Sequence, residues 1–212
     1  MTRRRSSYRS IASLQRDNRV CRACVEAGFP LESLPVVLGY SGQRAYMFGQ
    51  APGIVEGEER RPWRGRAGKT LRRWLAMDED TFYGTFYFAS VTRCYPGRPA
   101  SGRGDRTPTR REQELCSFWR EWEFRLLRPQ LVVPVGGLAI KRLLGVTGLA
   151  ACIGRRYELD NGSAAIPLPH PSGASSWVNS PANRSLVECA IDLIRVELAR
   201  LDEGAVRGRV RP

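Results

Sequence analysis

Short apolar runs alternate with helical patterns along this chain, and that alternation restricts its fold more than any other feature. Runs rich in β-branched and aromatic residues predict strands over residues 45–50, 86–91, 131–135 and 165–168. Apolar periodicity predicts helices over residues 11–16, 68–76, 110–127, 138–144 and 181–201. Strand–helix–strand units with right-handed crossovers form a mostly parallel sheet covered by helices on both faces. The sequence therefore predicts a three-layer α/β/α fold with a mostly parallel central sheet of about four strands.

The charge of the chain indicates a polyanionic partner. The formal net charge is +13 over 212 residues, and all but two of the 34 basic residues are arginines. Arginine grips phosphate with paired hydrogen bonds and stacks on bases, which favours nucleic acid. Arginine-rich codon usage in a GC-rich genome is an alternative origin of this bias. We expect one domain over residues 10–203, with solvated basic tails over residues 1–9 and 204–212.

Neither a membrane span nor a signal peptide is predicted. No stretch reaches the ~18 uncharged apolar residues of a span, and the start MTRRRSSYRS lacks an apolar run. We expect a monomer in the bacterial cytoplasm, associated with the nucleoid. In that reducing compartment the six cysteines are expected to be metal ligands or buried thiols. The single histidine, His170, excludes a zinc site built from several histidines.

The residues that follow the predicted strands are candidates for a site, because ligands of such sheets bind beyond the carboxyl ends of the strands. The glycine-flanked turn 49–53 follows the first strand, and the sequence His-Pro-Ser-Gly from His170 follows the fourth. Alone, such a turn is usually only a turn, and a histidine after a strand is more often structural than catalytic. Their predicted position side by side favours one shared site.

Residues 49–71 read GQAPGIVEGEERRPWRGRAGKTL, and SVTRCYPGR, PQLVVPVGGLAI and HPSG follow further along the chain. The first run resembles, without gaps, the pattern GEAPGxxExxxxxPFVGxAGxLL of the iron–sulfur, family 4 uracil-DNA glycosylases. The other three resemble that family's NVVKCRPP segment, its third strand and its HPS loop, and HPSG is also similar to the mismatch-specific branch. The resemblance covers about residues 20–200. It implies an enzyme of base excision repair that flips uracil or a related damaged base out of DNA and hydrolyses its N-glycosidic bond.

The resemblance also implies roles for individual residues. His170 would stabilise the charge on the departing base, and Trp63 would stack on that base. The implied catalytic residues are His170, Gln50 and Glu56. The implied base-binding residues are Gly49, Gln50, Ala51, Trp63, Ser90 and His170. The implied DNA-binding residues are Arg66, Arg98, Arg103, Ser172, Gly173 and Arg184.

Three departures from the family concern the chemistry. Gln50 stands where the family has glutamate, and Ala51 stands where the single-domain uracil glycosylases carry a water-activating aspartate. No general base is therefore obvious, and Glu56 is the nearest candidate, with turn capping as its alternative role. Ser90 replaces the asparagine that reads uracil, and a hydroxyl cannot make the paired contacts of an amide. The preferred base is therefore open.

Four cysteines form a possible metal site. Cys21 and Cys24 make a CxxC pair, 69 residues separate Cys24 from Cys94, and a further 21 separate Cys94 from Cys116. The spacing alone suits zinc or a 4Fe-4S cluster, and the family resemblance implies the cluster. The segment between Cys94 and Cys116 would be anchored at both ends and could present its arginines to phosphate, with an ordinary solvated loop as the alternative. The arginines concerned are Arg98, Arg103, Arg106, Arg110 and Arg111. Cys152 and Cys189 are expected to be core thiols.

Two other functions stay open at this stage. The losses at Gln50, Ala51 and Ser90 suit a catalytically weak member of the superfamily that binds DNA or a modified base without turnover. The cysteines and the basic charge also suit a zinc-stapled module that binds nucleic acid.

Overall fold

The computed structural model describes residues 4–102, 104–172 and 176–209. The helices are α1 (Ile11–Arg19), α2 (Ala23–Glu26), α3 (Ile54–Glu59), α4 (Arg66–Leu75), α5 (Glu79–Thr85), α6 (Arg110–Leu127), α7 (Gly137–Leu144), α8 (Leu149–Cys152) and α9 (Pro181–Arg209), with a 3-10 turn at Ser176–Asn179. The strands are β1 (Ala45–Gly49), β2 (Phe86–Ser90), β3 (Leu131–Pro134), β4 (Tyr157–Glu158) and β5 (Ala164–Ala165). Within the described residues, no helix has both the length and the apolar composition needed to cross a membrane.

The strands form one sheet in the order β2-β1-β3-β5-β4, in which only β4 runs antiparallel to its neighbour. Side chains alternate along β1, so that Met47 packs into one layer and Tyr46 into the other. The first layer contains buried residues of α4, α5 and α9, and the second packs against α1 and α6. The predicted three-layer α/β/α fold is thus confirmed.

The sheet has one strand more than we expected. Tyr157 and Glu158 pair antiparallel with β5 at the sheet edge, and two residues are too few for an alternating pattern to reveal. The predicted strand 165–168 is also shorter, since only Ala164–Ala165 forms a ladder and Leu168 makes an isolated bridge to Val135. The helix predicted over residues 110–127 has those same bounds, because Thr109 and Glu112 form a capping box at its start.

The amino-terminal segment lies against the domain, although we expected a solvated tail there. The Tyr8 ring is buried in a cluster between α1 and α6. The Arg5 Nε atom donates to the Asp17 carboxylate over 2.7 Å, and the Arg4 guanidinium lies over the Phe118 ring. At the other end of the chain, α9 continues beyond its predicted end at residue 201 to Arg209.

The parallel register brings the ends of the central strands to one edge of the sheet. Gly49 at the end of β1 lies opposite Ser90 at the end of β2. The ladder then continues between loops, since the Val135 N–H donates to the Phe48 carbonyl and the Gly136 N–H donates to the Leu168 carbonyl. The segments that follow β1, β2, β3 and residue 168 therefore meet at this edge, as the sequence predicted.

Candidate active site

A cavity of about 110 Å³ lies at this edge of the sheet. Its wall comes from the turn after β1, the loop before α4, the end of β2, the loop before α6 and the loop after residue 168. Sequence analysis had singled out six of the residues that line it: Gly49, Ala51, Glu56, Trp63, Ser90 and His170. The cavity is therefore the candidate active site.

His170 presents a neutral imidazole to this cavity. Its Nδ1 atom accepts the Ser172 backbone N–H at 3.3 Å and lies 2.8 Å from the Ser172 hydroxyl oxygen. Since Nδ1 acts as an acceptor, we assign the ring hydrogen to Nε2. Burial lowers the pKa of His170 below its usual 6.5, while the charges of Asp105 and Glu56 act in the opposite direction. The ring is thus a neutral hydrogen-bond donor at neutral pH.

Trp63 forms a flat wall beside the histidine. Its ring centroid lies 6.3 Å from that of His170, and its backbone has a φ of +57°. The ring packs so closely on Gly49 that a Cβ atom at this position would lie 3.0 Å from the indole Cζ2 atom. An aromatic face of this kind can stack on a planar ligand.

Glu56 has both carboxylate oxygens occupied by the backbone. Oε2 accepts the Gly53 N–H over 3.2 Å, which caps α3, and Oε1 accepts the Gly65 N–H over 2.7 Å. The carboxylate therefore closes the loop between β1 and α4. Although Glu56 lines the cavity, these contacts match the turn-capping alternative.

The structure leaves Gln50 out of the described cavity wall but places Ser90 in it. Gln50 is half-buried and is not among the described residues that line the cavity, and its carbonyl accepts the Thr92 N–H at 3.2 Å. Ser90 lines the cavity, but its hydroxyl donates to the Thr92 carbonyl over 2.7 Å. Only the lone pairs of the Ser90 hydroxyl then face a ligand.

Asp105 is the residue that sequence reasoning missed. It lines the cavity, and one of its carboxylate oxygens would lie 3.2 Å from a Cβ atom placed on Gly53. It stands in the loop before α6, which we expected to be notable only for its arginines. A signal was present nonetheless, since Asp105 is the single acidic residue within residues 95–109.

The predicted DNA-binding residues fall into three groups. Arg66, Arg98 and Arg184 are exposed, at the start of α4, in the loop after β2 and in the first turn of α9, respectively. Ser172 is half-buried on His170. Arg103 and Gly173 lie outside the described residues.

The expectation that the loop before α6 turns all of its arginines outward is wrong for Arg106. Both terminal nitrogens of its guanidinium pair with the buried Glu112 carboxylate, at 2.7 and 2.8 Å. The side chain also donates to the Pro96 carbonyl. Arg106 therefore anchors the loop instead of facing solvent.

A second, narrower cavity of about 20 Å³ is lined by Cys21, Cys24, Cys94 and Cys116. All but Cys21 are buried. Burial, with Cys116 and Cys21 adding to it, raises the pKa of the Cys24 thiol to about 12. Within the described residues, no three thiol, carboxyl or imidazole side chains are close enough together to hold a metal ion as they stand.

The chemistry around these thiols suits a group rich in sulfur. Four residues that line the same cavity carry buried N–H groups with no hydrogen-bond partner in the described part of the chain: Arg4 Nε, Asn18 Nδ2, Arg93 Nη1 and Trp119 Nε1. Unpaired buried donors are costly, and donors of this kind stabilise cluster and thiolate sulfurs. The four thiols and the unpaired N–H groups around them therefore fit a thiolate-bound cluster.

The two remaining cysteines differ from each other. Cys152 is buried in the main core cluster, as expected. Cys189 is exposed on α9, where its thiol donates to the Gly154 carbonyl at 3.4 Å, so the expectation of a core thiol is wrong for it. The helix predicted over residues 181–201 is present as α9, but Cys189 lies outside the buried residues of that helix.

Comparison with known proteins gives one family and several relatives. The model of the uracil DNA glycosylase superfamily matches residues 38–201. A type-4 uracil-DNA glycosylase of Thermotoga maritima is 26% identical over 155 residues, which are 71% of this chain and 77% of that protein. A protein of the same name from Sulfurisphaera tokodaii is 25% identical over 202 residues, 90% and 85% of the two chains. Another from Pyrobaculum aerophilum is 30% identical over 103 residues, 49% of each.

Proposed function

Since the chain belongs to the uracil DNA glycosylase superfamily, we propose that it hydrolyses the N-glycosidic bond of uracil, or of a related damaged base, in DNA. The observation that carries this proposal is the neutral His170 beside Trp63 in a cavity at the carboxyl end of the sheet. The relatives named type-4 uracil-DNA glycosylase support the same reaction. Such a reaction would place the protein at the chromosome and at the start of base excision repair.

The recessed cavity requires that the base leave the DNA stack before it reacts. A base inside a duplex cannot reach His170, so the nucleotide would turn outward and its base would enter beside Trp63. Stacking on the indole face would then repay part of the lost base stacking. The exposed Arg66, Arg98 and Arg184 would hold the phosphates on either side.

His170 would act on the charge that leaves with the base. As the bond from the sugar C1′ atom to the base nitrogen breaks, negative charge develops on the base. The Nε2–H of His170 would donate to a carbonyl oxygen of that base and stabilise the charge. Ser172 fixes the ring in the required tautomer through Nδ1. A neutral donor needs no proton transfer for this role.

We further propose that Cys21, Cys24, Cys94 and Cys116 hold a 4Fe-4S cluster. When bound, the cluster would supply folding free energy by joining three separate segments of the chain. Support comes from the four thiols on one cavity and from the unpaired N–H groups around them. Iron and sulfide analysis of anaerobically purified protein, with an absorption band near 400 nm, tests this; colourless protein that contains zinc would contradict it.

Cleavage of oligonucleotides tests the reaction. Duplex and single-stranded substrates would carry uracil, hypoxanthine, xanthine or a 5-substituted uracil, with thymine as the undamaged control. We expect cleavage of at least one damaged base, and a loss of about 10²-fold or more in single-turnover rate for His170→Ala, typical of a lost preorganised donor. DNA affinity should change little. A variant as fast as wild type would contradict the role of His170.

A second candidate function is binding of a damaged base without turnover. It is favoured by Ser90, whose hydroxyl proton is already used on Thr92, and by Ala51, which carries no carboxylate. In the same assay, tight binding of a damaged oligonucleotide with no cleavage of any base would select this function.

A further inference from the structure

We propose that Asp105 orients and deprotonates the water that attacks the sugar, a role that neither Gln50 nor Ala51 can fill. This inference rests on the proposed glycosylase function. It assigns the catalytic base to the loop before α6, outside the turn that follows β1.

Two carboxylates line the cavity among the described residues, Glu56 and Asp105. Glu56 uses both oxygens on the backbone N–H groups of Gly53 and Gly65. The Asp105 carboxylate lies beside the Tyr95 hydroxyl and, within the described part of the chain, receives no backbone N–H, which leaves acceptor positions for water. It is an exposed residue at the cavity wall, which gives water a direct path to it. Asp105 is therefore the better placed of the two bases.

The Asp105 carboxylate is close enough to His170 and to the turn after β1 for its charge to act on them. Its charge acts on His170, whose pKa burial lowers and Asp105 raises. One Asp105 oxygen borders Gly53 in the turn after β1. Asp105 thus faces the cavity together with His170, from a different loop.

The neighbouring Arg106 holds Asp105 in place. The Arg106 backbone N–H donates to the Gly97 carbonyl at 2.8 Å, and its guanidinium pairs with Glu112 through two hydrogen bonds. Although burial raises the pKa of Glu112, the hydrogen bonds from Arg106 and Thr109 lower it overall, so the pair stays charged. Glu112 also caps α6. These contacts therefore fix the loop that carries Asp105.

The reaction balances with these two residues. The oxygen of water forms a bond to C1′, and the bond from C1′ to the base nitrogen breaks, with its electron pair leaving on the base. Asp105 accepts a proton from the attacking water, and His170 hydrogen-bonds the base anion. The base takes up a proton and Asp105 releases one to solvent. The negative Asp105 also stabilises the positive charge that develops on the sugar.

Asp105→Asn tests the inference, because it keeps the shape of the side chain and removes its basicity. We expect the single-turnover rate to fall by about 10²-fold or more, the usual contribution of a general base. The dissociation constant for a non-cleavable 2′-fluoro-deoxyuridine oligonucleotide should stay within about twofold of wild type. Asp105→Glu should recover part of the rate. Asp160→Asn, an exposed change in the turn between β4 and β5, is the matched control and should behave as wild type.

A second measurement does not depend on activity. His170 is the single histidine, so its imidazole signals can be titrated by NMR without ambiguity. Loss of the Asp105 charge should lower the His170 pKa further in Asp105→Asn and leave it unchanged in Asp160→Asn. An unchanged His170 pKa, a wild-type rate in Asp105→Asn, or a rate loss fully matched by lost affinity would overturn the role of Asp105. Wild-type protein that cleaves no base would instead overturn the proposed function itself, and the catalytic role with it.

Discussion

At the scale of single residues, the state of His170 is set by its burial and by three neighbours, Ser172, Asp105 and Glu56. The Ser172 N–H occupies Nδ1, so the hydrogen of the ring must lie on Nε2. Burial makes the charged ring costly, and this cost outweighs the attraction of Asp105 and Glu56. Gly136, with a φ of +89°, lies against this side chain, and a Cβ atom added there would be 3.3 Å from the His170 Cβ atom. A side chain at Gly136 would therefore strain the backbone and crowd the histidine.

This state of His170 predicts a pH dependence. Because folding lowers the His170 pKa, the unfolded chain takes up the proton first, and this residue destabilises the folded protein as pH falls below about 6.5. Above that value its contribution is constant. Nitrogen-15 NMR should show a protonated Nε2, an unprotonated Nδ1 and a midpoint below 6.5. A midpoint at or above 6.5 would contradict the neutral-donor assignment.

Ser90 sets how much of the base edge is read. Its hydroxyl donates to Thr92, so it offers a base no donor, whereas asparagine would offer a donor and an acceptor. An unsatisfied group costs about 1–3 kcal/mol, or roughly one to two decades of discrimination. Ser90→Asn should therefore sharpen the preference for uracil over 5-substituted uracil and deaminated purine.

The measurement for Ser90 is the ratio of kcat/KM values on matched oligonucleotides, for wild type and for Ser90→Asn. A ratio that does not change, or wild-type protein that already rejects all bases but uracil, would mean that another residue reads the base.

At the scale of elements, the position of Trp63 depends on contacts that α4 and α5 make with the loop between α3 and α4. The Tyr83 hydroxyl of α5 donates to the Pro62 carbonyl at 2.6 Å, and Arg72 of α4 donates to the Trp63 carbonyl at 3.3 Å. The same carbonyl lies against Gly68, where an added Cβ atom would come within 1.7 Å of it. A side chain at residue 68 and this loop conformation are thus incompatible.

Gly68→Ala should therefore destabilise the protein and lower cleavage, although alanine is the better helix former. Displacing the Trp63 backbone should cost about 1–3 kcal/mol, as for other overpacked sites. Gly84→Ala in α5 is the control, since a Cβ atom there meets no atom within 4 Å, and it should be neutral or stabilising. Urea unfolding of both variants decides. Equal stability of the two would show that the loop yields without cost.

At the scale of the whole molecule, the four cysteines join parts of the chain that are distant in sequence. Cys21 and Cys24 flank the start of α2, Cys94 follows β2 and Cys116 lies on α6. The adjacent Arg93 is buried and pairs with Glu123 of α6, which also accepts the hydroxyls of Tyr46 and Tyr87 from the sheet. The cysteine site and the core on this face of the sheet are therefore one connected structure.

Loss of one proposed ligand should affect the whole fold. Cys21→Ser and Cys116→Ser should lose the chromophore and most of the iron, and should yield largely insoluble protein, because a closed cluster contributes folding free energy. Cys152→Ser is the matched control, since its thiol lies in the main core and donates to the Gly148 and Leu149 carbonyls, away from the four proposed ligands. Iron analysis and thermal melting are the measurements. Equal iron loss in all three variants would show that the ligand set is wrong.

Local patterns in the sequence determined the layers of this fold and part of its site. The apolar run of β1, the capping box before α6 and the apolar periodicity of α9 each depend on residues close in the chain. Gly49 and His170 were predictable as partners, since parallel strands carry their carboxyl ends to one edge. The short strand β4 was not predictable, because a strand of two residues is too short to show an alternating pattern.

Only the tertiary structure decided what the carboxylates do. Glu56 lies on α3, three residues after Gly53, and Asp105 is the single acidic residue within residues 95–109, but neither position shows which carboxylate keeps its oxygens free. The fold saturates Glu56 with two backbone N–H groups. It brings Asp105 to the cavity because Arg106 reaches Glu112 at the start of α6. Whether a carboxylate caps a turn or faces a substrate depends on such contacts between segments, and pairing of this kind leaves no periodic trace in a sequence.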